Sequence, residues 1–159
     1  MKTKLDIAKN WLPRYTGTKL DEFGDYMLLT NFDDYVERFA TKFKTDIKGL
    51  GKPMQTATNS EGLSIINFGI GSANAATIMD LLSACSPKGV LFLGKCGGLK
   101  KSTELGHFIL PTAAIRGEGT SNGYKPPEVP AKSFVPLSSR AVTSIFVNAV
   151  SNRIQLIPL

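Results

Sequence analysis

Two glycine-rich turns, each directly after a short apolar segment, constrain the fold of this chain more than any other feature of its sequence. The first, Gly69 to Gly71, follows the apolar run Leu63 to Phe68, and the second, Gly94 to Leu99, follows Val90 to Leu93. A segment with helical spacing of apolar residues, Ser72 to Ala84, separates them. Alternating strands and helices are typical of α/β sheets, in which ligands bind at the carboxyl ends of the strands. The pattern therefore predicts an α/β fold with a binding site at these turns.

The N-terminal third predicts the same kind of fold. Residues 3 to 11 form a short predicted helix, Tyr26 to Thr30 a buried strand, and Asp33 to Phe43 an amphipathic helix with Asn31 or Asp33 as its N-cap. The region from Lys44 to Gly62 is a connection, with one strand near Met54 to Thr58.

The C-terminal elements follow from similar patterns. Ser72 is the expected N-cap of the helix after the first turn. The fully apolar run Val90 to Leu93 suits the centre of a sheet that has helices on both faces. A last strand is predicted from His107 to Ile115, with a loop from Arg116 to Tyr124 behind it.

Composition places the chain among ordinary globular proteins. It has 159 residues, of which 42% are hydrophobic and 20% charged, so it can bury a core. The longest apolar runs are far shorter than a membrane helix, and the N-terminus lacks a signal peptide's apolar stretch. We therefore expect a cytoplasmic protein with no membrane partner. Cys85 and Cys96 have neither metal-ligand spacing nor an extracellular context, so we expect two reduced thiols and no metal or other cofactor.

The net charge of +6 does not indicate nucleic-acid binding. Three of the positive charges, Lys132, Arg140 and Arg153, follow the last acidic residue, Glu128, so the rest of the chain carries only +3. No cluster of Lys and Arg alternates with aromatic residues. A nucleic-acid partner is therefore not expected.

The first glycine turn has two interpretations. It is not a dinucleotide-binding fingerprint, because Asn74 stands where the third glycine is expected. It can be a tight turn that packs a helix on a strand, or a place where a ligand approaches the backbone closely. The single histidine, His107, is expected to be a structural residue, and with no second histidine to activate it Cys96 is not expected to act as a nucleophile.

A resemblance to a known family adds to this pattern. The ordered motifs resemble the nucleoside phosphorylase and nucleosidase superfamily, and within it the catalytic domain of the AMP nucleosidases, over roughly residues 12 to 131. These motifs are Tyr15 to Thr18, Leu29 to Phe32 with Tyr35-Val36, Asn67 to Gly71, Gly94 to Leu99, Ala114 to Ser121 and Pro126 to Pro130.

The resemblance implies a fold and a reaction. It implies a mixed sheet flanked by helices, a homo-oligomer, and cleavage of the bond between a sugar and its base. Typical phosphorylases of the family carry a phosphate-binding arginine after the first strand, and Asp34 stands there in this chain. A carboxylate repels phosphate, so water is the expected nucleophile. The implied activity is hydrolysis of AMP to adenine and ribose 5-phosphate, and the alternatives are an inactive nucleotide-binding fragment and a phosphate-dependent phosphorylase.

The same resemblance implies which residues contact a purine nucleotide. Lys95 would attract the substrate's phosphate, and Arg116 would hold either the base or that phosphate. The alternative for Lys95 is a solvated surface side chain, and for Arg116 an ion pair with Glu118 or Glu104. The full expected set is Gly71, Gly94, Lys95, Cys96, Gly97, Arg116, Glu118, Ser121 and Tyr124.

The end of the chain departs from the family pattern. We expect residues 1–131 to form the N-terminal half of a catalytic domain, incomplete at its C-terminus, and residues 132–159 to be an atypical tail produced by a frameshift or truncation. The alternative is a genuine terminal element that packs on the sheet. The family's acid that protonates the leaving base is expected beyond this chain, so no catalytic residue is assigned here.

Overall fold

The computed structural model describes residues 2–107, 113–126, 128–129 and 131–132. The chain divides into two compact units, one up to Lys95 and one from Cys96 onwards. The first unit contains helices α1 (Lys4–Thr16), α2 (Asp33–Phe43) and α3 (Ser72–Leu82), and strands β1 (Tyr26–Thr30), β2 (Gln55–Thr58), β3 (Leu63–Asn67) and β4 (Gly89–Leu93).

The four strands form one mixed sheet in the order β2-β3-β1-β4. β1 pairs in parallel with β3 and with β4, whereas β2 runs antiparallel to β3. The register places Thr30 of β1 opposite Asn67 of β3 and Leu93 of β4. The three parallel strands therefore end side by side, and the segments that follow them meet at one edge of the sheet. The predicted mixed sheet flanked by helices is confirmed.

Helices cover both faces of the sheet because neighbouring residues in a strand point to opposite sides. In β3, Ile65 packs with Val36 and Phe39 of α2 on one face. On the other face Ile66 packs with Leu12 of α1 and the buried side of α3. The residues of this second cluster are Ala8, Leu12, Met27, Leu29, Met54, Ile66, Phe68, Ile78, Leu81 and Leu82.

Helix α1 is longer than the sequence predicts. A capping box between Thr3 and Asp6 starts it, and Gly17 ends it in a left-handed conformation with φ of 67°. The predicted end before Pro13 is wrong because a proline in the last turn removes a single backbone donor, while its carbonyl still accepts the Gly17 N–H at 2.8 Å. Burial of Leu12 and Thr16 stabilises this last turn.

The predicted N-caps of the other two helices are also wrong. α2 begins after Phe32 and α3 after Gly71, and neither helix has a side-chain cap bond. Asp33 is instead the first residue of α2 and bonds across to β3. Ser72 is the first residue of α3 rather than its cap.

β4 was expected at the centre of the sheet, but it is an edge among the described strands. Phe92 of β4 is 57% exposed even though it packs against the ring of Phe68. An all-apolar strand predicts burial on both faces but does not predict its place in the strand order. The central positions belong to β1 and β3.

The second unit has a two-stranded antiparallel ladder, β5 (Ala113–Ala114) with β6 (Ala131–Lys132), and a 3₁₀ turn at Thr120–Gly123. The strand predicted from His107 to Ile115 is described as a strand at Ala113–Ala114, and residues 108–112 of that prediction lie outside the described residues. The same holds for residues 133–159 of the predicted tail, whose boundary at residue 132 stays a prediction.

Candidate active site

The carboxyl edge of β1, β3 and β4 brings three loops of the first unit together. β1 leads into the first turn of α2, β3 leads through Gly69–Gly71 into α3, and β4 leads into Gly94 and Lys95. The helices that follow β1 and β3 lie on opposite faces of the sheet. Such a reversal opens a crevice between two adjacent strands at their carboxyl ends, where ligands of α/β sheets bind.

Asn67 joins the first two of these loops. Its Oδ1 accepts the Gly69 N–H at 2.9 Å, and its Nδ2 donates to Asp33 Oδ1 at 2.5 Å. The amide therefore fixes the turn after β3 and the start of α2 at the same time. Gly69 and Gly71 in this turn have φ of 80° and 105°, values that favour glycine. The first glycine turn thus has a conformational reason for its glycines, whether or not a ligand approaches it.

Lys95 joins the third loop to the first. Its Nζ lies 4.0 Å from the centre of the Phe32 ring and 5.2 Å from that of Tyr35. The two rings meet edge to face at 5.6 Å. The ammonium is thereby held over aromatic faces, a cation–π arrangement, instead of extending freely into solvent. Since the Lys95 side chain is itself exposed, its positive charge stays accessible to an anion.

The first turn of α2 carries negative charge at this edge. Asp34 Oδ1 accepts from Arg38 Nε at 2.9 Å, an i,i+4 pair with both side chains mostly exposed. The Asp34 carboxylate raises the pKa of Arg38, chiefly through this hydrogen bond. By contrast, the first turn of α3 has no acidic residue. The positive end of the α3 dipole is therefore the helix terminus at this edge that favours an anion.

In the second unit, Arg116 lies at the centre of its own loop. Its Nε donates to Ser121 Oγ at 2.9 Å, and its Nη2 donates to Asn122 Oδ1 at 3.2 Å and to the Lys125 carbonyl at 2.7 Å. Its Nη1 donates to the carbonyls of Pro126 at 2.5 Å and Val129 at 2.9 Å. A guanidinium has five N–H donors, and each of them has an acceptor here.

Ser121 and Glu118 continue this network. The Ser121 hydroxyl and backbone N–H both donate to the Glu118 carboxylate, the backbone N–H at 3.2 Å to Oε2. The hydrogen bond from the Ser121 hydroxyl holds the pKa of Glu118 below its usual value. Ser121 therefore contacts two other predicted site residues of this unit, Arg116 and Glu118.

The structure places the remaining predicted site residues as follows. Gly71, Gly94 and Lys95 belong to the edge formed by the first unit, and Cys96, Gly97 and Tyr124 belong to the second unit. Cys96 and Gly97 are exposed, and the Tyr124 N–H donates to the Ser121 carbonyl at 3.0 Å. His107 Nδ1 accepts the Glu104 N–H at 3.1 Å, so this histidine is hydrogen-bonded within its own turn.

Four residues of the edge were not among the predicted site residues: Phe32, Asp33, Tyr35 and Asn67. The signals that could have found them are the aromatic residues three positions apart directly after β1, and an amide at the last position of β3. Both signals become informative only when the strand order places β1 between β3 and β4.

Within residues 2–107, 113–126, 128–129 and 131–132, no three His, Cys, Asp or Glu side chains lie close enough together to hold a metal ion. No helix in that part of the chain has the length and apolar character to cross a membrane.

Comparison with known proteins agrees with this geometry. Residues 25–156 match the Phosphorylase superfamily. AMP nucleosidase of Escherichia coli (strain K12) is 25% identical over 166 residues, covering 82% of this chain and 34% of that enzyme. Uridine phosphorylase of Treponema pallidum (strain Nichols) is 29% identical over 121 residues, covering 74% of this chain and 47% of that enzyme.

A solved structure is more similar. AMP nucleosidase from Bacteroides thetaiotaomicron VPI-5482 superposes with a TM-score of 0.84 at 50% identity, covering 97% of this chain and 66% of that one. The chain belongs to the phosphorylase superfamily. The motif resemblance to the AMP nucleosidases is confirmed by these relatives, and the chain spans about a third of the length of the curated AMP nucleosidase that it matches.

Proposed function

We propose that this chain supplies the phosphate and sugar side of an active site that hydrolyses the N-glycosidic bond of AMP. In that reaction water adds to the anomeric carbon, the bond from that carbon to the base breaks, and the base leaves with a proton. The products are adenine and ribose 5-phosphate. The 50% identity to a bacterial AMP nucleosidase supports AMP as the substrate.

The observation that carries this proposal is the separation of charge at the carboxyl edge of the sheet. The start of α2 is acidic, with Asp33 bonded to Asn67 and Asp34 to Arg38. Inorganic phosphate at that position would meet carboxylates, which disfavours phosphate as the nucleophile. The position of the Lys95 ammonium over Phe32 and Tyr35 supports a role in attracting one phosphate that belongs to the substrate.

The proposed contacts divide according to the loops. The backbone of Gly94, Cys96 and Gly97 faces the sugar, and Lys95 binds the 5′-phosphate. Gly71 lies next to the α3 N-terminus, and because it has no side chain, an anion can come close to the backbone there. In the second unit, Arg116, Glu118, Ser121 and Tyr124 remain proposed contacts of the purine nucleotide.

A second candidate, phosphorolysis, is favoured by one specific observation. A uridine phosphorylase is among the relatives and is 29% identical over 121 residues. Phosphorolysis of AMP would transfer phosphate to the anomeric carbon and give ribose 1,5-bisphosphate. An inactive nucleotide-binding module would bind AMP and give neither sugar product. The three functions therefore differ in products that can be measured.

The test combines binding and turnover of the 159-residue chain. Calorimetry would measure AMP and adenosine binding, and chromatography would measure adenine and the sugar product with and without inorganic phosphate. We expect AMP to bind more tightly than adenosine, and Lys95→Met to remove that difference with Lys88→Met as a control far from the edge. Adenine release without phosphate would support hydrolysis, whereas ribose 1,5-bisphosphate would overturn it. Equal binding of AMP and adenosine would contradict the role of Lys95.

A further inference from the structure

The loop between Arg116 and Val129 is closed by the side chain of a single residue. Arg116 donates to carbonyls at positions 125, 126 and 129 and to the side chains of Ser121 and Asn122. These acceptors lie up to 13 positions further along the chain. The guanidinium therefore bonds to described residues spread from position 121 to position 129 of this loop.

We propose that Arg116, with Ser121 and Glu118, is an internal clamp that fixes this loop before substrate binds, and that Arg116 does not contact the phosphate. Arg116 is in this sense a positioning residue. The statement about phosphate rests on the proposed function, whereas the statement about the loop stands without it.

All five N–H donors of the Arg116 guanidinium are used in hydrogen bonds within the loop. Recognition of a phosphate by arginine uses two parallel N–H donors. All five donors of Arg116 already have oxygen acceptors, so a phosphate would have to displace two of them. Displaced carbonyls would lose hydrogen bonds to a charged donor, which are among the stronger ones in proteins. Binding of phosphate by Arg116 would therefore require the loop to open.

The direction of the Ser121 hydroxyl bond is the second argument. Its oxygen accepts from Arg116 Nε, so its proton is directed to the Glu118 carboxylate, which can only accept. The Ser121 backbone N–H donates to the same carboxylate. Both donors of Ser121 are thus used inside the loop. The positive charge of Arg116 is connected to the negative charge of Glu118 through this hydroxyl.

Lysine cannot replace this clamp. Its ammonium has three donors on a single atom, whereas the five acceptors here surround a planar fork. Arg116→Lys therefore keeps the charge and removes the geometry. The variant therefore distinguishes two roles of Arg116. A clamp needs the planar guanidinium, whereas attraction of an anion needs only the positive charge.

Hydrogen exchange of the full 159-residue chain tests the clamp directly. The N–H groups of Tyr124 and Lys125 bond to the Ser121 carbonyl at 3.0 and 3.1 Å, so they report on closure of the loop. In Arg116→Lys we expect their exchange to become at least about tenfold faster, because several charged hydrogen bonds are lost. Unchanged exchange in the β1 and β3 amides would show that the first unit is intact. Lys95→Met is the matched control and should leave Tyr124 and Lys125 protected.

Ligand binding separates the clamp from a phosphate contact. In Arg116→Lys we expect the affinities for AMP and adenosine to fall together, with their ratio unchanged within about twofold, while Lys95→Met changes that ratio. Selective loss of AMP binding in Arg116→Lys with Tyr124 and Lys125 still protected would overturn the proposal. Rapid exchange of these amides in the unmodified chain would overturn it as well. If the unmodified chain binds no AMP, the proposed function fails, and the exchange result still decides the clamp.

Discussion

The side-chain nitrogen of Lys95 lies 4.0 Å from the centre of the Phe32 ring. Phe32 follows β1 and Lys95 follows β4, and these two strands are neighbours in the sheet. The contact therefore connects two loops through a charge and an aromatic face rather than through an ion pair. It holds the ammonium at the edge where the parallel strands end and leaves its charge available to an anion.

Replacement of Phe32 by leucine tests this contact. We expect Phe32→Leu to weaken AMP binding about two- to fivefold, because an exposed cation–π pair stabilises by about 0.5–1 kcal/mol. Adenosine binding should hardly change, since the uncharged nucleoside does not use Lys95. Calorimetric titration measures both. Phe43→Leu is a suitable control because Phe43 also lies beneath a lysine, Lys42, at 5.8 Å but on another part of α2. Equal weakening in both variants would contradict a specific role of Phe32.

Much of the fold of the first unit could be predicted from local sequence. The strand Tyr26–Thr30 and the helix Asp33–Phe43 have the predicted bounds. An apolar run predicts the strand and helical spacing of apolar residues predicts the helix, and both patterns depend only on residues close together in the sequence. The strand order could not be predicted in this way. The strand order depends on the connection from β3 to β4, which places these two strands on opposite sides of β1. No local pattern in the sequence therefore predicted the edge position of β4 or the contact of Phe32 with Lys95.

The predicted N-caps failed for a related reason. Asn31, Asp33 and Ser72 are residue types that favour caps. In the structure Asp33 instead accepts a hydrogen bond from Asn67, a residue 34 positions away. A tertiary contact of this kind competes with the local preference and cannot be seen in one segment. Likewise, the sequence indicates that Arg116 is important but not that its own loop supplies all of its acceptors.

Substitution of Gly97 distinguishes a contact with the ligand from a role in packing of the fold. A Cβ on Gly97 would meet no described atom within 4 Å, and its φ is outside the left-handed region. We therefore expect Gly97→Ala to leave the melting temperature unchanged and to lower AMP affinity at least about fivefold, because a methyl group would occupy space proposed for the sugar. Gly51→Ala, whose Cβ would also meet nothing within 4 Å among the described residues and which lies outside the proposed site, is the control and should retain affinity. Unchanged affinity in Gly97→Ala would remove Gly97 from the proposed site.

The labelling rates of the two cysteine thiols should show whether the substrate binds beside Cys96. Cys96 is exposed, whereas burial raises the pKa of the Cys85 thiol and lowers its thiolate fraction at neutral pH. A disulfide reagent should therefore modify Cys96 faster than Cys85, as measured by mass spectrometry of peptides. AMP should slow labelling of Cys96 and leave Cys85 unaffected. Labelling of Cys96 at the same rate with saturating AMP would argue against its place beside the sugar.

Gly49 and Gly51 predict a difference in stability. Both have positive φ, 79° and 75°, so alanine is strained at either position. At Gly49 a Cβ would also lie 2.3 Å from the Met54 carbonyl oxygen, whereas at Gly51 it would meet nothing within 4 Å among the described residues. We expect Gly51→Ala to lower the free energy of unfolding by about 1 kcal/mol and Gly49→Ala by at least about 2 kcal/mol more. Urea denaturation measures both, and equal losses would show that the contact with Met54 is not a constraint.

Closure of the Arg116 loop should depend on pH through Glu118. The Ser121 hydroxyl lowers the pKa of Glu118 from its ordinary 4.5, so the ionised carboxylate stabilises the closed loop. This contribution is present above pH 4.5 and is lost as the pH falls through the lower pKa of the closed loop. Exchange of the Tyr124 amide, corrected for its intrinsic pH dependence, should therefore accelerate on acidification below that range. Glu118→Gln, which keeps the shape but cannot ionise, should give a flat profile. Superimposable profiles of the two proteins would show that the Glu118 carboxylate does not hold the loop closed.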